Sequence, residues 1–119
     1  MSRRTRERRL EAEERWPELC RFLGGYLHED WPEMYGSISN AVDVGVREWH
    51  LAGRQAVLRE WRDWNSSVGW TNEVVAFLQD GIGVNVHFNS DVEARQLMNA
   101  VYDKLIVSVR GETSREWKP

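Results

Sequence analysis

His28, Glu29 and Asp30 stand next to one another, and a base beside two acids is the first place to look for chemistry in this chain. Metal ligands on a helix need i, i+3 or i, i+4 spacing. No second histidine lies within that reach, since His50 and His87 stand alone in other segments. A polar network that anchors a loop accounts for the triplet better than a ligand set. Cys20 sits beside Leu19 and Phe22 on an apolar helix face. A reactive thiolate needs an electropositive, partly open setting, so Cys20 reads as buried filler. Gly24-Gly25 follows a helical stretch, whereas a phosphate-cradling glycine loop follows a strand. Glu60 with Asp63, and Glu29 with Glu33, are carboxylate pairs of the kind helices carry on their wet sides. The sequence therefore assigns no catalytic residue, no cofactor site and no metal site.

Totals bound the remaining classes. A chain of 119 residues has room for one domain. Its 7 Trp, 3 Tyr and 3 Phe supply large buried area per residue, enough to close a small core. There is no run of 18 apolar residues to span a membrane. The start, MSRRTRERRLEAEERW, carries arginines without the apolar stretch of a secretory signal. A single cysteine suits a reducing compartment, so the expected location is cytoplasmic. Residues 1–15 hold six Arg and four Glu, a balance of +2, and the remaining 104 residues hold 10 basic and 15 acidic residues, a balance of −5. An acidic body argues against nucleic acid, whose phosphates need Lys and Arg. It suits association with a basic protein.

The elements that must position these residues follow from periodicity. Arg and Glu dominate the stretch to Glu14, as in a solvated helix or frayed tail. Pro17 opens a helix whose Leu19, Phe22 and Leu23 share a face, and Gly24-Gly25 ends it. Residues 26–38 form an aromatic connection, with Trp31 biased away from helical angles by Pro32. Ser37 or Ser39 caps Asn40 to His50, in which Val42, Val46 and Trp49 make one buried stripe. Gly53 breaks the pattern, and Arg54 to Trp64 is a further helix. Thr71 caps a short helix to Asp80. Val84 to Phe88 alternates apolar and polar, but with no partner strand nearby it is an extended connection. Ser90 or Asp91 caps the last helix, with Ala94, Leu97, Met98, Val101 and Leu105 on its face. The expected fold is all-α, a compact single-domain bundle of about five short helices. Of the seven tryptophans, one or two are expected at the surface, where indoles anchor interfaces.

The run Phe22-Leu23-Gly24-Gly25-Tyr26-Leu27-His28-Glu29-Asp30-Trp31, followed by Tyr35-Gly36 and Ala41-Val42-Asp43, resembles the N-terminal signature of the CdiI immunity proteins. These belong to contact-dependent growth inhibition systems of bacteria. The resemblance covers about residues 19–46, roughly a quarter of the chain. Gly45-Val46 and the arginine-rich start depart from the pattern. It implies a cytoplasmic protein that binds the toxic C-terminal domain of a delivered effector, often a nuclease, one-to-one and neutralises it. On that basis residues 16–110 form the immunity-like helical domain, flanked by a charged helix or tail at 1–15 and a loose tail at 111–119. Tyr26, His28, Asp30 and Trp31 are then family scaffold, with hydroxyl, imidazole and carboxylate satisfying one another beside a packed indole. Toxin-choosing residues belong on exposed acidic faces, and Glu29, Glu33, Asp43 and Glu48 are the candidates. The alternatives are a generic helical protein-interaction module, or a small nucleic-acid-binding regulator using Arg3 to Arg9. A small enzyme using His28 and Asp30 ranks last.

Overall fold

Ser2, Ser37 and Ser90 each precede a helical run, and each closes its first turn with the side chain. Their hydroxyl oxygens accept the backbone N–H of Thr5, Asn40 and Glu93 at 3.1, 3.1 and 3.2 Å. Such caps satisfy donors that the first turn of a helix cannot satisfy internally. In the computed structural model, which describes residues 2–119, the order is α1 (Arg3–Arg15), α2 (Pro17–Tyr26), α3 (Trp31–Tyr35), α4 (Ile38–Glu48), α5 (Leu51–Trp64), α6 (Val74–Ala76) and α7 (Asp91–Glu112). Two wider π-helical stretches, Asn65–Gly69 and Phe77–Ile82, continue α5 and α6. The architecture is all-α, and no strand forms among the described residues.

The helices number seven rather than about five, and the two additions have separate causes. Arg3–Arg15 is a formed helix, docked on the Phe77–Ile82 turn through fully buried Ala12. Trp31–Tyr35 is helical although Pro32 follows Trp31. Proline in a first turn gives up an N–H that has no helical partner there, so α3 starts across it at little cost.

The core lies between α2, α5 and α7. Leu19, Phe22 and Leu23 of α2 are buried against Val57, Leu58, Trp61 and Trp64 of α5, and Ala94, Met98, Val101, Leu105 and Val109 of α7 complete the layer. Trp16, wholly buried at the α1–α2 corner, donates its indole N–H to Asp63 at 2.7 Å. Trp61 donates to the Met98 carbonyl at 2.9 Å. Gly53 does not interrupt α5. A Cβ there would lie 2.8 Å from His50 Cε1 and 3.0 Å from Trp49 Cε3, so the glycine lets the α4–α5 corner close. Arg54, next to it, is a buried clamp. Its guanidinium donates to the Trp49 carbonyl at 2.9 Å, to Ser108 Oγ at 2.9 Å and to Glu112 at 2.7 Å.

Candidate protein-interaction face

The turn between α2 and α3 carries most of the residues singled out by sequence, and two hydrogen bonds to one distant residue strap it in place. Leu27, the C-cap of α2, is fully buried, and its carbonyl accepts the Asn85 N–H at 2.7 Å. Trp31, at the start of α3, donates its indole N–H to the Asn85 carbonyl, also at 2.7 Å. The turn His28–Asp30 is thus held at both ends against residues 84–86. Asn85 escaped sequence reasoning. The alternation Val84-Asn85-Val86-His87 was its signal, with Val84 and Val86 buried and Asn85 and His87 exposed. What the alternation does not reveal is which element the outward residues meet.

A row of rings, half-buried except for the fully buried Phe22, runs behind the turn. Trp49 packs edge-on to Phe22 at 5.2 Å, Phe22 meets Tyr26 at 5.7 Å, Tyr26 meets Tyr35 at 6.1 Å, and Tyr35 meets His28 at 6.3 Å. Gly45 of α4 permits this row. A Cβ there would lie 2.9 Å from Tyr26 Cδ2 and 3.0 Å from Phe22 Cε1. Tilted and edge-on rings at these separations attract through their quadrupoles as well as through buried area.

Tyr26, His28 and Asp30 do not close a network among themselves. Burial, then the neighbouring Glu48 carboxylate, raises the Tyr26 phenol above its ordinary value. His28 Nδ1 accepts the Asp30 backbone N–H at 3.0 Å, which orders the turn locally. The physical reason is position. Tyr26 sits on the last turn of α2 facing α4, whereas residues 28–30 lie in the turn beyond the end of that helix.

The four acidic candidates separate into two kinds. Asp43 is occupied, accepting Lys104 of α7 at 2.6 Å. Glu48 lies against Tyr26. Glu29 and Glu33 are exposed, as is Asp30 between them, and no ion pair reaches any of the three among the described residues. Residues 22–46 contain no Lys or Arg that could screen them. Met34 lies next to Glu33 with 59% of its surface open, so the acids border an apolar contact point. One tryptophan, Trp70, is strongly exposed at 70%, on the far α5–α6 connection.

Cys20 is half-buried, and its thiol is pushed up to about 11, mainly by burial. Its thiolate is therefore scarce at neutral pH. Among the described residues no three His, Cys, Asp or Glu side chains converge on a metal position, and no helix is long and apolar enough to cross a membrane. No family model, curated protein or solved structure matches the chain.

Proposed function

We propose that the chain is an immunity protein that binds a basic toxin domain one-to-one in the bacterial cytoplasm and neutralises it. The observation that carries this reading is the unpaired acidic turn, Glu29, Asp30 and Glu33, held rigid by the Leu27 and Trp31 bonds to Asn85. These three are exposed, lie within five residues of one another, and sit in a stretch, residues 22–46, without Lys or Arg. Exposed like charges on a preordered segment steer an oppositely charged partner and set its orientation. The resemblance of residues 19–46 to CdiI proteins supplies the class of partner, the C-terminal toxin domain of a delivered effector. Nucleases bind phosphate backbones and so tend to present basic surfaces, which an acidic inhibitor complements.

The test is calorimetry against the C-terminal domain encoded by the gene immediately upstream, paired with co-expression rescue of growth. Tight one-to-one binding with rescue is the expected result. Neither binding nor rescue would remove the reading.

A further inference from the structure

Residues 83–90 are the longest stretch without helix inside the fold, and the main chain of its first part is served by substitutes for a neighbouring strand. The Val84 N–H goes to the Leu78 carbonyl at 3.0 Å, and the Val86 carbonyl accepts from Gln79 Nε2 at 2.8 Å. On the opposite edge, Asn85 uses its N–H on Leu27 and its carbonyl on Trp31. In an extended chain, residues two apart direct their polar groups to the same edge. His87 therefore presents its N–H and carbonyl on the edge where Asn85 is satisfied. Neither group of His87 has a protein partner among the described residues. A cavity of about 500 Å³ opens at this place, walled by Trp31 and Pro32 on one side and by Gln79, Asn85 and His87 on the other. Asp30 and Glu33 are the chain neighbours of the Trp31-Pro32 wall, so the unpaired acids lie near the cleft without lining it.

We infer that this cleft receives an extended, lysine- or arginine-bearing segment of the protein partner, which pairs its main chain with His87. The inference rests on the inhibitor reading above and adds the mode of recognition. Main-chain pairing at an open edge gives affinity with little demand on sequence, and side chains at alternate positions give specificity. The charge of the occupant follows from Glu29, Asp30 and Glu33, which have no counterion. The indole of Trp31 and the ring of Pro32 provide an apolar wall for the alternate side chains.

The probe is a blocked octapeptide of alternating lysine and valine, with two versions N-methylated at alternate residues in opposite phase. Added to the full ¹⁵N-labelled chain, the parent peptide is expected to shift the amides of residues 85–88 together with Glu29 and Glu33. One N-methylated phase keeps this binding, and the other, which lacks the donor facing His87, binds about tenfold more weakly. His87→Pro removes a main-chain donor that has no partner in the fold, together with one exposed ring contact to Asn89, and it lowers parent binding by about the same factor while leaving the unfolding midpoint nearly unchanged. Equal binding by both phases, or shifts confined to residues 29–33, would show charge attraction alone and overturn the inference. A toxin domain neutralised equally by the wild-type and His87→Pro chains also overturns it, with the inhibitor reading intact. Peptide pairing at His87 in a chain that neutralises no toxin would leave the pairing and remove the inhibitor reading.

Discussion

Helix α1 and the turn at residues 29–33 both read as solvated charge in the sequence, yet the fold treats them in opposite ways. In α1 the pairs Arg3–Glu7, Arg9–Glu13 and Arg15–Glu11 close at 3.2, 2.7 and 3.1 Å, all at i, i+4 spacing. Exposed pairs of that kind contribute only about 0.3–0.5 kcal/mol each. What docks the helix, besides buried Ala12, is Arg8. Its side chain is 14% exposed, reaches Glu73 at 2.7 Å and Asp80 at 3.4 Å, and lies over the Phe77 ring. The turn has no such closure. Its backbone is anchored through Leu27 and Trp31, while its carboxylates face water. A charge bound inside the fold serves stability, and a charge left open on an ordered segment is available to a partner.

Substitutions on the two sides of this contrast should separate cleanly. The largest loss falls on the deepest closed charge. Arg54→Ala opens space at the α4–α5 corner and leaves the Trp49 carbonyl and Ser108 without a donor. It should cost about 3 kcal/mol in urea unfolding. Arg8→Ala follows, at about 1–2 kcal/mol, because it removes charged hydrogen bonds and a ring contact together.

The same clamp sets a pH response. Its hydrogen bond from Arg8 holds the Glu73 carboxyl below the ordinary glutamate value of 4.5. A carboxylate depressed in the folded state contributes stability above its unfolded value and loses it as pH falls through the folded value. Thermal unfolding of the wild type should therefore weaken below pH 4.5, and Glu73→Gln should flatten that acid limb.

On the open side, Glu29→Lys with Glu33→Lys should change stability by no more than about 0.5 kcal/mol. The same pair should slow association with the toxin domain about tenfold at low salt, an effect that shrinks as salt is raised. An unchanged association rate would place the interface elsewhere. The smallest effect is spectroscopic. Glu48→Gln should bring the Tyr26 phenol part of the way back toward its ordinary value in an ultraviolet titration, leaving the burial contribution in place.

Much of this was legible because it is local. Serine before a helical run, apolar residues at a period of 3.6 and proline in a first turn act within a few residues of themselves, so the capped helices and the face of α7 could be read directly. Gly53 misled because its role is set by His50 and Trp49 pressing on it from the preceding corner. Arg3–Arg15 carries few apolar residues, so periodicity alone left it between helix and tail. Its docking depends on Glu73 and Asp80, more than 60 positions away.

The sequence by itself determined an all-α chain and a stretch, residues 22–46, with acids and no bases. Only the tertiary structure decided which acids stay available. Ion pairs form between side chains brought near by packing, as with Asp43 and Lys104 from α4 and α7. Packing likewise placed Asn85 between Leu27 and Trp31 and left His87 open beside them. Periodicity reports which face of an element is buried; the partner that buries it depends on contacts across the whole chain.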